Sequence, residues 1–213
     1  VFFPLYLPVL QAAGLYSLIL IFLLSTLVWR CRKYIQWKQA IFPAAVYLIV
    51  STITIRLASS INLSGINFWL GMFLLLIAIY MAFMNQKITV KANWGTAAVC
   101  ASLSGTVDGL FSIGGPPMTV YFLALLGNEK LKYLGTIQFF FFITNLMNSF
   151  NRIFSGILKP FTLLLVLPGI LGQYIGSRLG NRIVDRIDSR HFQILVYSFL
   201  AVSGIFTCIS SLF

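Results

Sequence analysis

Residues 109–117 read Gly-Leu-Phe-Ser-Ile-Gly-Gly-Pro-Pro, a glycine-rich stretch with long apolar segments on both sides. Glycine and proline interrupt helices, and an interruption leaves backbone N–H and C=O groups unpaired. Lipid cannot satisfy such groups, so a break inside a hydrophobic span is tolerated only where it is buried in protein or lines a cavity. Pro116 and Pro117 suit the first turn of a new helix, where the N–H that proline lacks has no partner anyway. The stretch therefore predicts a helix, a break and a second helix.

The start of that second helix is a candidate anion site. Helix N-termini present free N–H groups and the positive end of the helix dipole, and transporters place substrates at half-helix starts near the bilayer midplane. We predict that the amides of Ile113, Gly114 and Gly115 and the hydroxyl of Ser112 hold the substrate. The alternative is a close helix–helix crossing that requires only small residues.

The composition is that of an integral membrane protein. Of the 213 residues, 59% are hydrophobic and 9% are charged, and the mean hydropathy is +0.94; soluble domains carry roughly 25% charged residues. The net charge of +11 comes from basic residues scattered over short loops, which indicates membrane orientation rather than nucleic-acid binding. The three cysteines are far apart and no Cys/His cluster exists, so we expect neither a metal site nor a cofactor.

Apolar segments of spanning length, which need about 20 residues, follow one another along the chain. Because these runs are long and continuous, we predict an all-α polytopic membrane fold. The predicted full-length helices are Gly14–Arg30, Gln39–Leu57, Asn67–Met84, Lys132–Phe150, Lys159–Leu179 and His191–Phe213. The predicted arms of the broken helix are Trp94–Asp108 and Pro116–Leu126, and the predicted lone half-helix is Val1–Gln11.

The two halves of the chain share an order of elements: a half-helix, a long helix, a proline-containing helix and a long helix. In this order Pro43 corresponds to Pro168. We therefore predict two inverted repeats, residues 1–84 and 94–213, joined by a cytoplasmic linker at 85–93. Each repeat would contain a broken re-entrant helix pair and three transmembrane helices, and we expect the first repeat to be truncated at its N-terminus.

The distribution of Lys and Arg favours a re-entrant hairpin over a single crossing for the broken helix. A single crossing would divide the basic residues almost evenly between the two sides of the membrane. If both arms enter and leave on one face, all but three of the 15 Lys and Arg lie on one side; the three are Arg56, Arg152 and Lys159. Since cytoplasmic loops carry the basic excess, we place that side in the cytoplasm of a plasma (inner) membrane protein and the C-terminus outside.

Asp108 is the one acidic residue well inside a hydrophobic stretch. An ionisable residue within a membrane is a candidate functional residue, and burial disfavours its charged form. We predict either a proton carrier or a carboxyl that hydrogen-bonds the break, and the two alternatives stay open.

Polar residues also share one face of the predicted helix 132–150. Such a stripe either lines the substrate pathway or ties helices together. Outside the break, the predicted substrate-binding residues are Thr136, Gln138, Asn145, Asn148 and Gln173.

Catalysis finds little support in the sequence. The only histidine, His191, lies far along the chain from Ser112 and at the wrong predicted depth to act as its base. An aspartyl protease would need a second aspartate within the spans, and the predicted spans contain none. We therefore expect no enzyme.

The second half of the chain resembles the TauE/SafE-type sulfite exporter family. The resemblance is carried by Gly105-x3-Gly109-x4-Gly114-Gly115-Pro116, by the half-helix and the Thr136-bearing helix that follow, and by Gly172-x3-Gly176-Ser177-Arg178-Leu179-Gly180. It reaches the first half through architecture alone, and the family's first glycine motif is absent. The resemblance implies two related halves and the movement of sulfite, thiosulfate, sulfonates or other small organic anions.

These observations together predict a secondary transporter that moves small sulfur-containing or organic anions by alternating access. No nucleotide-binding motif is present, so ion gradients such as a proton gradient, or the gradient of the substrate itself, would drive it. A passive anion channel and a structural subunit of a larger complex are the alternatives. The expected partners are the anion, protons and membrane lipid, with a homo-oligomer left open and no nucleic acid.

Overall fold

A computed structural model of the chain describes residues 7–60, 66–83, 91–127, 129–158, 163–184, 198 and 201–209. Within these ranges the structure is helical and contains no strand, which confirms the all-α prediction. The helices are α1 (Val9–Cys31), α2 (Trp37–Ser60), α3 (Ile66–Phe83), α4 (Trp94–Phe111), α5 (Gly115–Leu126), α6 (Lys130–Phe154), α7 (Val166–Val184) and α8 (residues 201–209).

Two predicted helices differ clearly from the structure. The predicted helix Lys159–Leu179 corresponds to α7, which ends at Val184, five residues later than predicted. The other difference is at the N-terminus. α1 begins at Val9 and continues to Cys31, so the predicted lone half-helix Val1–Gln11 is wrong over residues 9–11. Neither glycine nor proline falls between Val9 and Ala13, and nothing in this stretch stops the helix. The rest of that prediction falls mainly on residues 1–6, which lie outside the described residues.

Two described segments, Leu10–Tyr34 and Trp37–Ser59, are long and apolar enough to cross a membrane. α5 is also apolar but has only 12 residues. At 1.5 Å per residue it is about 18 Å long, little more than half of a ~30 Å hydrocarbon core. α5 is therefore too short to cross a bilayer by itself.

The chain divides into two compact units. The smaller unit comprises Val1–Val9, Leu63–Ile88 and Leu167–Phe213, and the larger unit comprises Leu10–Asn62 and Thr89–Val166. In the smaller unit α3 and α8 cross closely at Gly71 and Gly204. A Cβ added at Gly71 would lie 2.8 Å from the backbone oxygen of Gly204, so the crossing leaves no room for a side chain at Gly71. The predicted repeats describe an internal symmetry that this division leaves untested, so the boundaries 1–84, 85–93 and 94–213 stay a prediction.

The larger unit is organised by helices that start at a common end. At that end the rings of Phe42 on α2 and Trp94 on α4 lie 4.7 Å apart. At the opposite end a Cβ added at Gly109 of α4 would lie 2.7 Å from Cβ of Thr54 on α2. α2 and α4 therefore run parallel and in close contact.

α6 runs in the same direction as these two helices. Near its start, Thr136 Oγ1 accepts a hydrogen bond of 3.0 Å from the amide of Gln36, just before α2. Near its end, Asn151 Nδ2 donates to Thr52 Oγ1 of α2 over 2.7 Å. The starts of α2, α4 and α6 thus lie at one end of the larger unit.

α5 returns from the break toward that same end. Phe122 and Leu126, in the second half of α5, share a buried cluster with Ala97 and Ala101, in the first half of α4. Since the end of one helix packs near the start of the other, α4 and α5 are antiparallel. Residues 112–114 form the turn between them.

We call the end where α2, α4 and α6 start the basic end, and the opposite end, with residues 112–114, the break end. The basic residues at the basic end are Arg30, Arg32, Lys33, Lys38, Lys91, Lys130 and Lys132. Among the described residues of the larger unit, only Arg56 and Arg152 lie toward the break end. The charge of this unit is therefore concentrated at one end.

Candidate functional site

The break between α4 and α5 is present where the sequence predicts it. α4 ends at Phe111, and Ser112 adopts a left-handed conformation with φ 55° and ψ 37° while its amide donates to Asp108 O over 2.9 Å. α5 begins at Gly115, with prolines in its first turn. Among the described residues, the amides of Ile113, Gly114 and Gly115 have no hydrogen-bond acceptor.

The two glycines of the break have different surroundings. A Cβ added at Gly114 would lie 2.5 Å from Ser104 O, 2.6 Å from the Tyr47 hydroxyl and 2.7 Å from Asp108 Cβ. A Cβ added at Gly115 would meet only Phe141 Cζ, at 3.8 Å. Gly114 is therefore required by close packing, whereas a Cβ at Gly115 would make one ordinary van der Waals contact with the described residues.

The hydroxyl of Ser112 attaches the break to α1. Ser112 Oγ donates to Ala13 O over 3.0 Å and lies 2.8 Å from Ser17 Oγ. Ser112 is buried. Its hydroxyl is thus engaged within the protein, and it positions the neighbouring amides rather than pointing freely into a cavity.

A buried arginine closes the end of α4. Arg152 of α6 has 0% exposure, and its guanidinium donates to Asp108 O, to Gly109 O over 3.2 Å and to Ser17 Oγ over 2.9 Å. The last carbonyls of a helix have no partner within that helix, and a cation is favourable at this negative end of the helix dipole. Arg152 therefore satisfies the carbonyls that the break exposes.

This position corrects an expectation from the sequence. The charge distribution predicts Arg152 in a loop on the side of the membrane that has few basic residues. In the structure it lies within α6 and is fully buried. A buried charge is tolerated only where hydrogen bonds and an opposite charge compensate for lost hydration. The packed faces of α1, α4 and α6 provide that compensation, and a count of Lys and Arg does not reveal it.

Asp108 lies on the other side of the same network. Its side chain is 3% exposed, and its Oδ2 accepts a hydrogen bond of 2.6 Å from Asn148 Nδ2. Asn148 Oδ1 in turn accepts from Ser51 Oγ over 2.8 Å. Asp108 and Arg152 thus contribute opposite charges to one buried cluster, which we call the break cluster. It consists of Ser17, Ser51, Asp108, Ser112, Asn148 and Arg152.

Several buried polar atoms of these helices have unused hydrogen-bonding capacity. Ser104 Oγ, Ser149 Oγ and Arg152 Nε have no partner within the described part of the chain. Buried polar atoms are rarely left unpaired. A water molecule or a polar ligand near these atoms would satisfy them.

Two predicted ligands lie one turn from Phe141 on α6, the residue that contacts the start of α5. Phe141 of α6 is the side chain nearest to Gly115, and Gln138 and Asn145 lie one turn before and one turn after it on the same face. Gln138 is partly exposed. Asn145 is buried, and its Nδ2 donates to Phe141 O over 2.8 Å, which leaves its oxygen without a described partner.

The other predicted ligands are placed differently. The side-chain amide of Asn148 is hydrogen-bonded within the break cluster at both its nitrogen and its oxygen. Thr136 lies at the basic end, bound to the amide of Gln36, and its twelve-residue separation from Asn148 corresponds to about 18 Å along α6. Gln173 belongs to the smaller unit, where its Oε1 is buried without a described partner. The roles of all these residues in binding stay predictions.

Sequence reasoning missed two members of the break cluster, Ser17 and Ser51, and it placed Arg152 at the end of the polar stripe of α6 without predicting its burial. Arg152 follows Asn148 by four residues, so the stripe of polar residues on α6 was a usable signal that it faces inward. Ser17 and Ser51 offered no comparable signal, because single serines are common within apolar helices. The described residues contain no group of three His, Cys, Asp or Glu that could hold a metal ion.

Comparison with known proteins agrees with these features. The family described as "Sulfite exporter TauE/SafE" matches residues 1–207. A protein of Methanocaldococcus jannaschii named "Probable membrane transporter protein" is 26% identical over 190 residues, which cover 82% of this chain and 69% of that protein. No solved structure gives a significant match. These matches indicate a transporter rather than an enzyme, and the chain belongs to the sulfite exporter TauE/SafE family of membrane proteins.

Proposed function

We propose that this membrane transporter carries small anions, namely sulfite, thiosulfate or sulfonates, across the plasma membrane by alternating access between two inverted repeats. The substrate class follows the printed description of the family. The arrangement at the break supports it independently, since it combines features that favour an anion.

The observation that carries the proposal is the set of free amides at the start of α5. Ile113, Gly114 and Gly115 have no acceptor among the described residues, and the positive end of the α5 dipole lies at the same place. A Cβ at Gly115 would make one van der Waals contact within the described part of the chain, at 3.8 Å, so this amide is not tightly enclosed. An oxyanion at this position would accept hydrogen bonds that the protein itself leaves unmade.

The break cluster supports the same site electrostatically. An isolated Asp108 beside an anion would repel it, but the buried guanidinium of Arg152 compensates for that charge within the cluster. The free amides then act in a neutral surrounding of low dielectric constant, where hydrogen bonds to an anion are stronger than in water. Gln138 and Asn145 are proposed to add amide contacts from α6, and Ser112 and Asn148 to position the site.

The helix directions support a re-entrant hairpin. α4 and α6 start at the same end of the larger unit, and α5 is too short to span a bilayer. A chain that crossed once through α4 and α5 would start α6 on the opposite side. The proposed hairpin places the break near mid-membrane and the basic end in the cytoplasm, in agreement with the positive-inside rule.

Asp108 is the proposed proton carrier. It is buried, and its carboxylate accepts a hydrogen bond from Asn148 and forms another with the hydroxyl of Tyr47. A coupled carrier would show saturable flux that responds to an imposed pH gradient, and Asp108→Asn would remove that response. Ohmic single-channel current would instead identify the alternative, a passive anion channel.

Counterflow of labelled thiosulfate or sulfite in liposomes tests the proposed site. Gly115→Val introduces a side chain at the start of α5, where the protein has room for it, and should abolish flux with little change in thermal stability. Gly172→Ala is the matched control, because a Cβ at that helical glycine would meet no described atom within 4 Å; it should retain flux. Full flux through the Gly115→Val variant would refute the role of these amides.

A further inference from the structure

A cavity of 470 Å³ lies at the basic end of the larger unit, apart from the break. It is bounded by the starts of α2 and α4 and by the end of α5. Its polar lining residues are Lys38, Gln39 and Asn93, and its aromatic lining residues are Phe42, Trp94 and Tyr121. The cavity therefore combines a polar region that carries a cation with an apolar wall.

The polar region offers hydrogen-bond donors without a bound acceptor. Lys38 has no acidic partner within the described ranges, where the recorded ion pair joins Lys132 and Glu129. Asn93 Oδ1 accepts from the amide of Thr96 over 2.8 Å in the cap of α4. Its NH2 group is thereby left to face other partners. A cation and a free amide NH2 group are suited to an anionic group.

The apolar wall suits a hydrocarbon chain rather than a small inorganic ion. The cavity volume falls in the range of roughly 300–1,000 Å³ that holds organic ligands. Trp94 is 71% exposed, and tryptophan is enriched at membrane–water interfaces. Tyr121 is buried and closes the inner side. An occupant with an anionic head and an apolar tail would satisfy both regions.

We propose that this cavity binds one anionic phospholipid, with the phosphate at Lys38 and Asn93 and an acyl chain along Phe42, Trp94 and Tyr121. The concentration of basic residues at this end complements the negative surface of the cytoplasmic leaflet. The inference does not depend on which anion is transported, and its test involves no transport.

Native mass spectrometry of the purified chain, after exchange into mixed micelles of phosphatidylglycerol and phosphatidylcholine, tests the site. One phosphatidylglycerol per chain should be retained in preference to phosphatidylcholine. Lys38→Gln should weaken that retention by about fivefold, the effect of one cation near a lipid head group. Lys33→Gln is the matched control, since it removes the same charge from the same end without lining the cavity; it should leave retention unchanged.

Trp94→Ala provides a second arm that leaves the charge unaltered. A smaller fraction of chains should retain phosphatidylglycerol. An unchanged melting temperature would show that the variant is folded. Equal losses in Lys38→Gln and Lys33→Gln would overturn the site, because they would indicate a general surface charge effect. Displacement of the lipid by millimolar thiosulfate would also overturn it, by identifying a site for small anions.

Discussion

The two ends of the larger unit handle positive charge in opposite ways. At the basic end seven Lys and Arg lie in turns and first or last helical turns, mostly exposed to solvent. At the break end a single arginine, Arg152, is fully buried and makes hydrogen bonds to α1 and to α4. Exposed charges contribute little to stability because water already solvates them, whereas a buried charge depends on every partner. The contrast indicates that the charges of the basic end contribute little to stability, whereas the buried charge of the break end holds the helices together.

Removal of Arg152 should give the largest effect. Arg152→Met leaves Gly109 O without a described donor, leaves Asp108 O with the Ser112 amide alone and leaves the Asp108 charge uncompensated, so we expect the free energy of unfolding to fall by about 3–5 kcal/mol. Thermal unfolding in detergent measures it. Lys33→Met at the basic end is the control and should leave the melting temperature unchanged. Equal decreases in the melting temperature of the two variants would contradict the different roles of charge at the two ends.

A methyl group at Gly114 should have the next largest effect. Gly114→Ala places Cβ within 2.5–2.7 Å of Ser104, Tyr47 and Asp108, and such overpacking costs about 1–3 kcal/mol. Gly115→Ala, with 3.8 Å to its nearest neighbour, should change stability by less than about 0.5 kcal/mol. The same unfolding measurement compares the two variants, and a reversed order would contradict the packing at the break.

Loss of the Ser112 hydroxyl should have a smaller effect. Ser112→Ala removes the bonds to Ala13 and Ser17. Because Ala13 O still accepts from the Ser17 hydroxyl, the loss should be that of an ordinary hydrogen bond, about 0.5–1.5 kcal/mol. Ser25→Ala is a control on α1, because its hydroxyl bonds Phe22 O at an exposed position. Hydrogen exchange of the backbone amides at the start of α5 should increase only in the Ser112 variant. Unchanged exchange in that variant would show that the Ser112 hydroxyl does not position these amides.

The smallest effect is expected at the ion pair of the basic end. Lys132 Nζ lies 2.6 Å from Glu129 Oε2, with both side chains substantially exposed. Glu129→Gln should lower stability by less than about 0.5 kcal/mol, and the difference should vanish at high salt. A loss comparable to that of Arg152→Met would show that the basic end is also a structural element.

Local sequence was sufficient to predict the helical segments and the break. Residues 112–114 separate α4 from α5 as the glycines and prolines indicate, and α4 starts at Trp94 as predicted. The repeat pattern predicts a division at Gln11, but α1 is continuous there, because the sequence from Val9 to Ala13 contains no residue that stops a helix. Of the predicted site residues, Asp108 and Asn148 are hydrogen-bonded to each other, whereas Thr136 lies at the other end of α6; their roles in binding stay predictions.

The helices, the break and the uneven distribution of charge can be read from the chain itself, because they depend on properties of single residues. Glycine lacks a side chain, proline lacks an N–H, and lysine and arginine remain in water unless partners replace it. The hydrogen-bond partners of Arg152 could not be predicted from the sequence and are evident only in the folded structure. Ser17 and Arg152 are 135 residues apart in the chain, and they meet because particular faces of α1, α4 and α6 pack together. That packing decides which charge is buried and which amides of the break remain without an acceptor among the described residues.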